Sequence, residues 1–73
     1  MIINEKIGKK IKVFRQKLGL QANKLAEQLE ISPSYLNLIE GGKRNIDGDL
    51  LLKICQELRI ELSDLTSERE IDL

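Results

Sequence analysis

The dipeptide Ser32-Pro33 limits the possible folds of this chain more than any other feature. A serine at a helix N-cap accepts a hydrogen bond from a backbone N–H that has no helical partner. A proline at the first helical position gives up nothing, because its missing N–H would be unpaired there anyway. A helix is therefore predicted to start at Pro33, bury Leu36 and Ile39, and stop at Glu40 before Gly41-Gly42. Just before it, Leu25, Ala26 and Leu29 form the inward face of another short helix, about Ala22 to Glu30. Gln21 sits at the cap of that helix, where Ser, Thr or Asn is more usual. Only the turn Glu30-Ile31-Ser32 separates the two helices.

Three further helices are predicted around this pair. Ile7, Ile11, Phe14 and Leu18 step by four, three and four, the stripe of a first helix that starts after Asn4 as N-cap and carries Glu5 in its first turn. Lys6, Lys9, Lys10, Lys12 and Lys17 fall on its other face, and Gly19 ends it as a left-handed cap. Asp47 caps a fourth helix, about Gly48 to Leu58, with Leu51, Ile54, Cys55 and Leu58 inward. A last helical turn, Leu62 to Leu65, covers the open end of the core. The expected architecture is an all-α, five-helix domain over residues 1–66, with a charged tail at 67–73 that lacks a cap or stripe and is expected to fray. A chain of 73 residues hides only about 60% of its unfolded surface on folding. An almost purely aliphatic core at helical spacing suits that constraint.

Several function classes are disfavoured. No apolar run approaches the ~20 residues that span a bilayer, so no membrane partner is expected. With no histidine and one cysteine, a zinc site or a Cys/His catalytic pair has no groups to draw on. Cys55 cannot form an internal disulfide, which fits the cytoplasm, and it reads as a core residue. No metal, cofactor or small-molecule ligand is expected in this domain, nor catalysis. Net charge is zero but unevenly spread. Residues 1–44 hold nine Lys/Arg against four Asp/Glu, a net +5, and residues 45–73 hold three against eight, a net −5. Such asymmetry suits either a basic binding face or ordinary solvated surface.

Two short helices joined by a tight turn, the second firmly capped, form the arrangement that reads DNA. One α-helix fits the major groove, and its N-terminal residues reach base edges. With Leu36 and Ile39 inward, Ser32, Pro33, Ser34, Asn37 and Leu38 are left as candidate base readers. Ser34 can bond to any base and Asn37 can pair bidentately with adenine, or both can be solvated surface. Leu38 either meets thymine methyl groups or covers the core edge. Pro33 sets the helix start and adds van der Waals contact at most. For phosphates the candidates are Lys43 and Arg44, just past the reading helix, and Gln21, Asn23 and Lys24 with the backbone N–H groups beside them. Tyr35 offers its hydroxyl to a phosphate or packs its ring on the domain.

The run Leu18-Gly19-Leu20-Gln21, Leu25-Ala26-Glu27-Gln28-Leu29, Ile31-Ser32-Pro33-Ser34-Tyr35-Leu36, Ile39-Glu40-Gly41-Gly42-Lys43-Arg44, continued by Leu51-Leu52-Lys53-Ile54 to Leu58 and Leu65, resembles the Cro/phage-repressor (Xre-type) family. The stretch Ser-Pro-Ser-Tyr-Leu-Asn-Leu-Ile-Glu is particularly similar to short-chain fatty-acyl regulators, which carry a larger metabolite-sensing region. On that likeness, the chain is expected to be the reading head of a longer protein. The resemblance implies a sequence-specific regulator, usually a repressor, bound as a homodimer to a double-stranded DNA operator. It also implies an ion pair between Arg15 and Glu40 that ties the reading helix to the first. Ile60, Leu62 and Ile71 are candidates for a dimer surface, with core packing the stronger reading for the first two. Two positions depart from the family pattern. Ala22 stands where many members have a phosphate-clasping glutamine, and Gly41 where many have asparagine. The alternative reading is a protein-interaction or antitoxin-like module built on the same helices.

Overall fold

In the computed structural model, which describes residues 3–66 and side chains from Glu5 onward, the chain runs through α1 (Ile3–Lys17), α2 (Ala22–Leu29), α3 (Pro33–Glu40), α4 (Gly48–Leu58) and α5 (Leu62–Thr66). These five helices are the only regular structure among the described residues, which is the all-α architecture expected. The expected tail at 67–73, including Ile71, lies outside them.

Local chemistry sets the helix limits. Ser32 Oγ accepts from Tyr35 N at 3.0 Å, and Asp47 Oδ1 accepts from Leu50 N at 2.8 Å, so both predicted caps are in place. α1 differs from the expectation, because the helix already includes Ile3 and Asn4 belongs to its first turn. The first four helices all end the same way, in a residue with left-handed backbone: Gly19 (φ 68°), Glu30 (60°), Gly42 (74°) and Arg59 (58°). The next N–H then reaches back over the last turn: Leu20 to Arg15 O at 3.1 Å, Ile31 to Ala26 O at 3.0 Å, Lys43 to Leu38 O at 2.8 Å, and Ile60 to Cys55 O at 3.0 Å. Glu30 is thus the cap of α2, one residue beyond its last helical position.

The core gathers Ile7, Ile11, Leu25, Ala26, Leu29, Leu36, Ile39, Leu50, Ile54, Cys55, Leu58 and Leu65. α3 packs between α1 and α2, while α5 closes on α1 and α4. Four predicted placements need correction. Leu18 is 52% exposed, because α1 stops at Lys17 and the chain turns before the stripe reaches it. Lys10 is buried, since it lies three residues after Ile7 and four before Phe14 and so shares their face. In α4 it is Leu50 that rises in steps of four with Ile54 and Leu58, and Leu51, about 100° round the helix, is half-buried. Leu62 is 42% exposed, so core packing accounts only for Leu65 in that turn, and Ile60 is half-buried against the core.

Candidate nucleic-acid interface

α2, its turn and α3 place one helix with its inward stripe consumed and its outward stripe free. Leu36 and Ile39 are fully buried, whereas Pro33, Ser34, Asn37 and Leu38 are exposed. Ser34, Asn37, Leu38 and Gly41 follow at i, i+3, i+4 and i+7, so they share one face. Leu38, at 39% exposure, is the large apolar residue of that face. Ser32 is exposed as well, but its oxygen is engaged as the cap, leaving its O–H as the group it can offer outward. Tyr35 is half-buried and packs against the core.

The two ends of this unit carry the groups suited to phosphate. At the start of α2, Gln21 has extended backbone and its side chain makes no capping bond. The first-turn N–H groups of Ala22, Asn23 and Lys24 therefore lack the side-chain acceptor that the starts of α3 and α4 possess. Gln21, Asn23 and Lys24 are all exposed, and Lys24 Nζ lies 3.5 Å from Glu27 Oε1. At the other end come Lys43 and Arg44, both exposed. Lys43 occupies a telling position. In the three other helix ends the residue after the left-handed cap is aliphatic and tucked onto the core, as Leu20, Ile31 and Ile60 are. After α3 it is a solvent-facing lysine.

What holds α3 in place is partly foreseen and partly new. The Arg15–Glu40 pair is present and bidentate, Nε to Oε2 at 2.7 Å and Nη2 to Oε1 at 3.1 Å, with side chains 11% and 5% exposed. Beyond it, Arg15 Nη1 donates to the Leu20 carbonyl at 2.9 Å. Two glycines were not foreseen as part of this support. A Cβ on Gly8 would overlap the Ile39 carbonyl oxygen and stand 3.0 Å from that of Glu40, so the last turn of α3 rests on α1 at a point with room for hydrogen alone. A Cβ on Gly42 would stand 2.7 Å from Glu5 Cα, which seats the turn after α3 against the start of α1. The available signal was an isolated glycine inside a helical pattern, which costs roughly 1 kcal/mol against alanine and so calls for a packing reason.

Groups for other chemistry are scarce here. No cluster of three His, Cys, Asp or Glu stands ready for a metal among the described residues. Cys55 is buried, and burial followed by the nearby Asp64 charge pushes its thiol pKa up, the opposite of an activated nucleophile.

Comparison with known proteins agrees with this geometry. The family profile described as helix-turn-helix matches residues 11–65. The control protein C.MunI of Mycoplasma sp is 38% identical over 69 residues, covering 93% of each chain. The HTH-type transcriptional regulator RamB of Mycobacterium tuberculosis is 32% identical over an 82-residue alignment that takes in 92% of this chain, and the chain spans only 17% of RamB's length. The crystal structure of the clp gene regulator ClgR from Corynebacterium glutamicum superposes with a TM-score of 0.86 at 29% identity, over 89% of this chain and 69% of ClgR's.

Proposed function

Because this chain belongs to the Xre-type helix-turn-helix family, we propose that it is a sequence-specific, double-stranded-DNA-binding transcriptional regulator that occupies an operator as a homodimer and represses by blocking a promoter. One observation carries the reading: the exposed stripe of α3 lies between two ends furnished for phosphate. In this assignment Ser34 and Asn37 read base edges, Leu38 meets thymine methyl groups, and Ser32 and Pro33 border the groove. Lys43 and Arg44 hold phosphates on one side. Gln21, Asn23, Lys24 and the adjoining amides do so on the other, with the Tyr35 hydroxyl a lesser contributor. The reading domain is residues 1–66; such a domain occurs both within a longer regulator, as in RamB, and over 93% of the length of C.MunI. No helix among the described residues is long and apolar enough to cross a membrane, and a cytoplasmic location follows from work on DNA.

The test is selection of bound sites from random duplexes. Two half-sites about one helical turn (~34 Å) apart are expected, as a symmetric pair requires, and Asn37→Ala is expected to change the preferred base at its contact. Enrichment of no sequence at low ionic strength would overturn the proposal. A protein-interaction module is the second reading. It is favoured by Ala22 in place of a phosphate-binding side chain and by the Lys24–Glu27 pair, which diverts one cation. Salt separates the two, since binding through phosphates weakens steeply with ionic strength and apolar docking does not.

A further inference from the structure

The turn after α3 rests on the first turn of α1, and the residue beneath it is an acid. A Cβ on Gly42 would stand 2.7 Å from Glu5 Cα, 3.0 Å from its Cγ and 3.2 Å from its Cβ. Lys43 and Arg44, the cations assigned to phosphate, follow Gly42 directly. Lys43 Cγ lies 3.7 Å from where a Cβ of Gly41 would be, so the lysine stem runs beside the last position of the outward stripe of α3. Glu5 is exposed, and among the described residues its carboxylate has no ion-pair or hydrogen-bond partner. Even Lys9, exposed and at the favourable i+4 spacing, does not pair with it. A carboxylate in a first helical turn has an ordinary use, since it complements the helix dipole. That use is indifferent to what lies opposite. The seat on Gly42 is not, because it keeps the charge within one side-chain length of the cationic turn in any rotamer.

We infer that Glu5 limits the affinity of the DNA interface from a fixed place beside its cationic end: its charge opposes the duplex phosphate that Lys43 and Arg44 draw in. The inference rests on the DNA-binding reading above. One field has two effects here. It lowers the positive potential at Lys43 and Arg44, and it repels the incoming phosphate. Like charges about 8 Å apart near a protein surface change an affinity about two- to fivefold when salt is low. The penalty falls on every duplex alike, because phosphate contacts carry no sequence. Retention at a given protein concentration then depends on the base contacts of α3, which matters to a protein that must leave a large excess of non-specific sites.

The experiment measures affinity for a fluorescein-labelled mixed-sequence duplex across a salt series, with the full chain kept at a temperature where circular dichroism shows it folded. Glu5→Gln is expected to tighten binding about threefold at ~50 mM salt, and the gain is expected to fall below about 1.5-fold near ~0.3 M as the charge is screened. A role confined to stabilising α1 predicts the opposite sign, because loss of that charge would loosen the seat of the turn. Glu5→Ala is expected to give the same gain and serves if Glu5→Gln does not fold. Glu61→Gln makes the same change in net charge at an exposed residue beside α5, which packs on α1 and α4, and is expected to keep affinity within about 1.5-fold of wild type. Unchanged or weaker low-salt binding by a folded Glu5 variant overturns the inference. An equal gain from Glu61→Gln overturns it too, since net charge and not position would then be the cause. Wild-type chain that retains no duplex at low salt overturns the DNA-binding reading itself, and the inference with it.

Discussion

Alanine in place of glycine inside a helix ordinarily stabilises by about 0.5–1 kcal/mol. At Gly8 the opposite sign is expected. The added methyl would overlap the Ile39 carbonyl oxygen and come within 3.0 Å of Glu40 O and 3.1 Å of Glu40 C. All three are backbone atoms, which cannot swing aside as a flexible side chain does. Relief requires α1 and α3 to move apart, and that loosens Ile7 and Ile11 against Leu36 and Ile39, all buried at this contact. Overpacking of this kind costs about 1–3 kcal/mol, so after the gain in helix propensity a net loss of about 0.5–2 kcal/mol remains. For a chain of 73 residues, whose whole stability is expected to be about 4–11 kcal/mol, such a loss is readily measured. Gly48→Ala is the internal control. That glycine opens α4, has ordinary backbone, and has nothing within 4 Å of its missing Cβ, so the same substitution there is expected to be neutral or mildly stabilising. Urea titrations of both variants decide the signs. Duplex binding by folded Gly8→Ala protein is expected to fall as well, because the displaced carbonyls belong to the turn that leads into Lys43 and Arg44. A Gly8→Ala protein at least as stable as wild type, with unaltered affinity, would refute the steric reasoning.

Arg59→Gly is expected to stabilise by up to about 1 kcal/mol, since Arg59 holds left-handed backbone at φ 58° that costs an L-residue energy and glycine little; a lowered midpoint on thermal melting counts against this. Lys43→Ala and Arg44→Ala are each expected to weaken binding to all duplexes alike and to reduce the salt slope by about 1, and a change confined to one sequence would reassign them as base readers. Cys55 is expected to ignore disulfide-exchange reagents in the native protein at neutral pH, and rapid stoichiometric labelling would show its burial to be wrong. Its raised pKa also has a sign for stability. The buried thiol stays neutral where the unfolded one, titrating near ~8.5, has begun to ionise. The stabilising difference is therefore complete at lower pH and is lost as pH climbs past the unfolded value, and Cys55→Ala should flatten that alkaline decline.

What could be read from the sequence depended on how local the determining interaction is. The limits of α3 were legible because Ser32, Pro33 and the glycine pair act within one turn of themselves. The left-handed ends at Glu30 and Arg59 were not, because neither residue favours that backbone. Part of the signal for these two ends lies one residue later, in Ile31 and Ile60, whose contact with the core accompanies the turn. Leu18 was misplaced because periodicity continues past a helix end that it cannot detect, and Lys10 because its charge outweighed its position between Ile7 and Phe14. The site divides in the same way. The outward stripe of Ser34, Asn37 and Leu38 follows from where Leu36 and Ile39 point. Gly8 and the Arg15–Leu20 bond depend on which helix lies opposite, and that is a property of the assembled fold.

The electrostatics bear on why the proposed regulator would act as a pair. Each copy offers Lys43 and Arg44 at one end and, at the other, neutral amides with Lys24 held near Glu27. Counting Lys24, that is about three cations for phosphate and a salt slope of roughly −3 for one copy. The net charge of zero adds no overall attraction, so any long-range steering rests on the net +5 of residues 1–44. Two copies on one duplex double the count to a slope of about −5 and turn the second encounter into an intramolecular one, which raises avidity without any new contact. In the proposed pair, a thin phosphate clamp at Ala22 and Gly41 would favour selectivity: one copy on a single half-site would dissociate, and only a duplex with two correctly spaced half-sites would retain the protein.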